Sequence, residues 1–342
     1  MLNFNLPFLK KTRARTRVGL DIGNYNLKVA EIEREKDSFK IVNAIVQDIR
    51  QVKNIPEAIN KVFKKEGISS KKVNISISGE DVVARYLSLP NMTDAELKKA
   101  MTFELEDHIP FRPEEVYTDY YVLGEEANSK NKIMVFLVAT KKELVDERVR
   151  LVREAGLEPQ VITTDALAIK NAFYFNYPSK NEANITLLNI GDKITNLLIT
   201  RQQIPYFVRD TRFGGDVITG LIQAKLQLEK KAAEELKHNL KEDSPEITKI
   251  TKATFGNLVN EIFVSLDFYE NITEQRIDEI YITGGSSQLL GLKEFLAGYL
   301  NLKIIPLEPV KKFSLSSHIS REAITKLSPY LSVAIGLALE ES

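Results

Sequence analysis

Val18-Gly-Leu-Asp-Ile-Gly-Asn-Tyr-Asn-Leu-Lys28 reads as a short apolar strand, a turn and a returning strand, with the carboxylate of Asp21 left at the mouth of the first strand. Gly23 stands where a side chain would keep a phosphate away from the turn amides, and Lys28 on the returning strand can reach the same anion. Asp21 can hold Mg²⁺ through waters, because that ion gives up its hydration reluctantly. Taken alone, a plain hairpin turn with Asp and Asn chosen for backbone conformation explains the stretch equally well. The pattern recurs nearly half the chain further on, where Leu188-Asn-Ile-Gly191 repeats Leu20-Asp-Ile-Gly23 and a second strand again returns. Such a repeat predicts two domains of one design facing each other across a cleft, the usual place for a ligand.

Strand and helix signals alternate outward from these turns, so the predicted class is α/β. Asn189-Ile-Gly-Asp192 with Thr195-Asn196 is the mirrored loop. Arg212-Phe-Gly-Gly-Asp216 meets the start of a helix, either an anion site or a tight helix start with Asp216 near the N-cap. Ile280-Tyr-Ile-Thr-Gly-Gly-Ser-Ser287 ends a strand in a double glycine that can lie against a base or ribose, or simply turn the chain into a helix. Between the halves, 81–162 departs from the scheme: the capping box Thr93-Asp-Ala-Glu96 opens a helix with Leu97, Met101 and Leu105 on one face, strands 117–123 and 133–139 flank a polar turn, and a helix covers 141–155. The expected organisation is a tail at 1–17, a first half at 18–80 completed by 163–182 and 329–342, an inserted α+β subdomain at 81–162, and a second half at 183–328. Helices over 224–240 and 254–271 fill the helical part of that second half, about 216–278.

Composition removes several function classes. With Lys+Arg 47 against Asp+Glu 47 the net charge is zero, which gives the chain no electrostatic reason to bind nucleic acid. The tail is different: Leu2, Phe4, Leu6, Phe8 and Leu9 precede Lys10, Lys11, Arg13, Arg15 and Arg17, an order that suits peripheral contact with an anionic bilayer or, equally, an unattached tail. The absence of cysteine excludes disulfides and thiolate metal sites, and His108, His238 and His318 have no ligand spacing. The longest apolar run, 133–139, is far short of the roughly 20 residues that span a bilayer. A cytosolic protein is expected.

Together and in this order, the loops resemble those of the actin-like ATPase superfamily, with its ribonuclease H-like two-domain fold: 18–28 looks like phosphate-1, 189–196 like phosphate-2 and 280–287 like the adenosine motif. Thr164-Asp-Ala-Leu-Ala168 and 329–339, with Gly336, look like its two connecting helices. Glu104-Leu-Glu-Asp-His-Ile-Pro-Phe111, Glu114-Glu-Val116, Asp119-Tyr-Tyr-Val-Leu-Gly124 and Gly156-Leu-Glu-Pro159 narrow the resemblance to the PilM family of type IV pilus assembly, over nearly the whole chain.

That resemblance implies ATP and Mg²⁺ in the cleft, with Asp21 and Asn189 beside the metal. Gly23, Asn24, Asn26, Lys28, Gly191, Asp192, Thr195, Gly214, Gly215, Asp216, Gly284, Gly285 and Ser286 are then the nucleotide contacts, and Glu234 and Lys237 stand near ribose and base. Taken without the resemblance, Glu234 and Lys237 read as a solvated helix face. Asp165 is the candidate for orienting water, or else an N-cap. The implied partner is the N-terminal cytoplasmic segment of PilN, docking beside the inserted subdomain, with other pilus platform proteins and self-association at the cytoplasmic face of the inner membrane.

Two departures predict a slow ATPase that works mainly as an adaptor. Asn24, Tyr25 and Asn26 replace the usual small hydroxyl residues, and Asn189 replaces an acid, with Asp192 nearby to compensate. An FtsA-like division protein or a type II secretion L-like scaffold is the alternative. Each is expected to carry a membrane helix at its end, whereas this sequence reads Leu339-Glu-Glu-Ser342 there.

Overall fold

A computed structural model describes residues 16–36, 38–126, 129–239 and 245–341. Residues 1–15, and the membrane reading of the tail that rests on them, lie outside the described residues.

Strands β1 (Thr16–Ile22), β2 (Asn26–Arg34) and β3 (Phe39–Asp48) form an antiparallel meander, and α1 (Ile55–Lys65) crosses to β4 (Lys72–Ile77), parallel to β1. Arg17, one of the bases assigned to the tail, belongs to β1; its guanidinium donates to the Leu339 carbonyl at 3.1 Å and pairs with Glu341 at 2.8 Å. The chain then leaves the sheet through β5 (Val82–Pro90), α2 (Asp94–His108), β6 (Val116–Glu126), β7 (Ser129–Lys141) and α3 (Lys142–Glu154). The capping box at Thr93 and Glu96 is formed, and Leu97, Met101 and Leu105 are buried in a core with β5 and β7. The turn between β6 and β7 is shorter than the polar stretch suggested, because the two strands keep pairing out to Glu126 and Ser129.

β8 (Glu158–Thr164) returns to lie parallel to β4, and α4 (Asp165–Asn176) crosses to the second half. There β9 (Ile185–Ile190), β10 (Thr195–Arg201) and β11 (Ile204–Thr211) repeat the meander. Helices α5 (Gly215–Leu226), α6 (Lys230–His238) and α7 (Pro245–Thr273) follow, then β12 (Glu279–Thr283), parallel to β9, α8 (Leu292–Leu300) and β13 (Lys303–Pro306). β14 (Ser314–Leu315) pairs with β3, and α9 (Arg321–Leu339) ends the described chain. The sheet orders are β14-β3-β2-β1-β4-β8, β11-β10-β9-β12-β13 and β5-β7-β6. Among the described residues no helix is long and apolar enough to cross a membrane.

The single helix expected over 224–240 is two. Gln227 takes a left-handed conformation (φ 54°) after α5, and α6 folds back so that Ala233, Glu234 and Lys237 are buried. Likewise 254–271 is the middle of the longer α7.

The halves are joined by α4 and α9. Ala168 and Phe173 of α4 pack with Leu187 and Leu198 of the second sheet, while Leu331, Ala334 and Ile335 of α9 pack with Ala30 and Ile32 of the first. A Cβ on Gly336 would run into the Ala168 backbone, and one on Gly19 into the Ala334 carbonyl, so α9 lies against α4 and β1 at backbone contact. Gly336→Ala should therefore destabilise by about 1–3 kcal/mol or more in chemical denaturation, the usual cost of overpacking. Gly220→Ala, inside α5 with open space where its Cβ would go, should gain about 0.5–1 kcal/mol in the same assay.

Candidate functional site

The turns of the two meanders face each other across a cavity of about 420 Å³. Asp21 closes β1 opposite Lys28 of β2, and its carboxylate meets the Lys28 ammonium at 3.1 Å. A Cβ on Gly23 would stand 2.6 Å from Lys28 Nζ, so glycine is what lets the lysine lie in the turn. Asp165 is the first residue of α4 but not its cap: the Thr164 hydroxyl accepts from Leu167 N–H at 3.3 Å. The Asp165 carboxylate instead accepts hydrogen bonds from Ser76 and Ser78. Burial, and then the charge of Asp21, push its pKa up against those bonds and Lys28.

In the second half Asn189, Asn196 and Asp210 form one cross-strand row over β9, β10 and β11. Asn189 Nδ2 donates to Asn196 Oδ1, Asn196 Nδ2 donates to Asp210 Oδ1, and the Gly79 N–H of the first half donates to Asp210 Oδ2, each at 2.7 Å. Burial lifts Asp210 to about 7 against the hydrogen bonds from Asn196 and Gly79. Asp210 lies two strands from Asn189, outside the cavity lining, and ties the halves together. Asp192, on the loop itself, is raised by burial and by Asp216.

Glu234 and Lys237 form a buried ion pair at 2.8 Å rather than a solvated face, with side chains only 6% and 3% exposed. Lys237 also donates to Gly215 O at 3.1 Å and Thr219 Oγ1 at 2.9 Å. Burial pushes Glu234 up, but hydrogen bonds from His238, Lys237 and Thr219 outweigh it and hold the carboxyl at about 2. On the double-glycine loop, Gly284 N–H donates to Pro329 O at 2.8 Å, and Ser286 Oγ donates to Gly191 O at 2.7 Å. Gly284 has φ +91°, and a Cβ on Gly285 would lie 2.9 Å from the Tyr330 ring. Larger residues would fill the floor of the cavity.

Most of the expected residues meet here: Asp21, Gly23, Asn24, Asn26 and Lys28 on one side, Asn189, Gly191 and Asp192 on the other, with Asp165, Glu234, Lys237, Gly284, Gly285 and Ser286 around them. Thr195, Gly214, Gly215 and Asp216 do not line the cavity. Strand alternation turns Thr195 inward, where its hydroxyl donates to Phe213 O at 2.8 Å, and exposes Asn196 in its place. The amides of Gly215 and Asp216 are spent on Gly191 O (3.1 Å) and Asp192 O (2.8 Å), and the Asp216 carboxylate pairs with Lys230 at 2.6 Å. The start of α5 therefore braces the Gly191 loop instead of offering an anion site. Ser78, His238 and Tyr330 also line the cleft, outside the motifs read from the sequence. Only Ser78, beside a strand end that runs into Gly79, left a local signal.

A sequence model of the family described as type IV pilus assembly protein PilM matches residues 19–342. The chain belongs to the PilM family. Its structure is similar to that of a chain in a PilM–PilN type IV pilus biogenesis complex, with a TM-score of 0.85 at 24% identity over 94% of this chain and 97% of that one. MreB5 of Spiroplasma citri, solved bound to ADP, gives a TM-score of 0.51 at 10% identity, covering 94% and 95%. The cell division protein FtsA of Streptococcus pneumoniae is 24% identical over 269 residues, which are 69% of this chain and 58% of that protein, so the match spans less than two thirds of that relative. The fold of this PilM family member is actin-like, as the loops implied.

The Glu234 pair makes a pH prediction. An ordinary glutamate ionises near 4.5 and this one near 2, so its ionised form favours folding fully above 4.5, and that gain disappears as pH falls towards 2. Glu234→Gln leaves Lys237 buried without its counter-ion and should cost about 3–5 kcal/mol at neutral pH. Denaturation midpoints taken from about pH 6 to pH 3 should then fall less steeply in the variant than in the wild type.

Proposed function

We propose that the cleft binds ATP and that the chain is a nucleotide-loaded adaptor of a type IV pilus platform, holding an N-terminal cytoplasmic segment of PilN at the inner membrane. The observation that carries the reading is the meeting of the two repeated turns, at Asp21 and Asn189, with the double glycine at Gly284-Gly285 over one cavity. Phosphates suit the side with Lys28 and the turn amides; ribose and base suit the side with Glu234, Lys237 and Gly285.

The donor set fits Mg²⁺. Asp21, Asp165 and Asn189 offer hard oxygens, and no cluster of three or more acids or histidines able to hold a metal occurs among the described residues. The ion would keep waters and phosphate oxygens, as Mg²⁺ prefers, and would offset the charge that Asp21 and Asp165 share. Bound there, it would neutralise phosphate charge. With the cap supplied by Thr164, Asp165 is left to orient a water. An amide at position 189 and a carboxylate withdrawn to Asp210 favour retention of nucleotide over turnover, with phosphate release below about 1 s⁻¹.

A second cavity, about 690 Å³, supports the adaptor role. It lies between β6, α3 and the β8–α4 junction and is walled by Tyr117, Tyr121, Phe136, Val145, Ile162 and Leu167. Tyr121 and Ile162 are exposed, and the buried Thr140 hydroxyl on its wall has no hydrogen-bond partner. An extended peptide bringing apolar side chains and a backbone polar group suits this groove beside the edge strand β6. Tail bases Lys10, Lys11, Arg13 and Arg15 suit a second, weak contact with anionic lipid.

Thermal shift separates the two sites. ATP with Mg²⁺ should raise the wild-type midpoint, and Asp21→Ala and Gly285→Leu should abolish the rise; an undiminished rise in both would sink the nucleotide reading. Ile162→Glu should weaken a PilN N-terminal peptide at least about tenfold in titration, the scale of losing one buried apolar side chain, and leave the ATP-dependent rise in place.

A further inference from the structure

Tyr25 is the odd residue of the first turn. The turn does not require it, since its φ is not among the positive values, and smaller residues would present the same amides. Its ring nevertheless has a defined position. The Arg50 guanidinium lies over one face, 4.1 Å from the centroid, and Arg50 is itself fixed by Asp48, which accepts from its Nε and its backbone N–H, each at 2.9 Å. The Tyr25 carbonyl accepts from Ile49 N–H at 3.0 Å, so backbone and ring are held by the same loop. The ring meets that of His238 in an edge-to-face arrangement, with centroids 6.2 Å apart and planes at 73°, which is aromatic contact distance.

Tyr25 belongs to the first half and His238 to the second, and both line the cleft. Exposure places their contact at the rim: the side chains of His238 and Arg50 are 46% and 40% exposed, whereas Glu234 and Lys237 beneath are nearly sealed. His238 is seated there by Glu234, whose Oε1 lies 3.1 Å from its Nε2. The halves are also tied at the root of the inserted segment by Gly79 to Asp210 and by Glu80 to Arg212 at 2.8 Å. Parting Tyr25 from His238 therefore opens the rim while that tie is kept.

We propose that Tyr25 and His238 form a latch across the mouth of the cleft, which must part each time a nucleotide enters or leaves. The proposal rests on the nucleotide reading above and adds to it a positioning pair that sets exchange rate rather than affinity. A wall that merely touches the ligand slows release alone. A latch that closes with or without ligand slows uptake and release by the same factor.

Stopped-flow measurement of a fluorescent ATP analogue with Mg²⁺ distinguishes these on the full chain. Tyr25→Ala should raise the association and dissociation rate constants together by roughly two- to tenfold, the range an edge-to-face contact is worth, with Kd nearly constant, and His238→Ala, which also removes a hydrogen bond from Glu234, should raise the association rate constant by a similar factor. The double variant should be no faster than the faster single one, and Tyr25→Phe, which keeps the ring and reports on folding of the turn, should restore slow exchange. Unchanged rates in Tyr25→Ala, a change in dissociation alone, or single effects that multiply in the double variant would each overturn the latch while leaving the nucleotide reading standing. A wild type that binds no nucleotide overturns both.

Discussion

Backbone contact between α9 and its neighbours is the constraint on which the cleft depends. Two sheets of similar design can face each other at many separations, but Gly336 against Ala168 and Gly19 against Ala334 fix one of them, because no side chain intervenes at either crossing. Dense packing of α4 and α9 between the sheets then transmits that spacing to the turns. Asp21 and Asp165 come from opposite ends of this arrangement, one from β1 and one from the first residue of α4. Their mutual repulsion is tolerable because Lys28 and two serine hydroxyls lie beside them.

Charge around the cleft is paired or hydrogen-bonded within the protein itself. Asn189 lines the cavity, so a carboxylate at that position would face into the cleft. The row Asn189, Asn196 and Asp210 keeps hydrogen-bonding groups at the cleft and sets the carboxyl back at a buried position, where the Gly79 N–H donates to it. Both polar atoms of Asn196 are committed, so its amide cannot turn to serve a passing ligand. Asp192 lines the cleft itself, while Asp210, distant from Asn189 in sequence, lies only two strands from it.

Legibility in the sequence follows the range of the interactions. The repeated turns, the capping box of α2 and the double glycine are local patterns, and they led to the fold and to most of the cleft. Thr195 reads as a cleft residue in place of Asn196 because strand parity alone decides which of two neighbours faces inward. Gly214-Gly215-Asp216 reads as an anion site because the carbonyls that take the Gly215 and Asp216 amides belong to residues more than twenty positions earlier. His238 and Tyr330 carry no local signal at all: one depends on the left-handed Gln227 that reverses α6, the other on a helix crossing from the far end of the chain.

The inserted segment shows how a groove can be added without disturbing the cleft. β4 and β8 are adjacent and parallel, with Ile77 opposite Thr164, so everything between them can leave and return without opening the sheet. At both junctions consecutive residues face different cavities: Ile77 and Thr164 wall the groove, while Ser78 and Asp165 wall the cleft. Helix α3 adds a third point of contact, since Val145 and Val149 line the groove and Arg148 between them donates to the Ile22 carbonyl at 2.6 Å, in the turn that carries Asp21 and Gly23. The wall of the groove and the first turn of the cleft are therefore joined directly, by a hydrogen bond that bridges α3 and the end of β1.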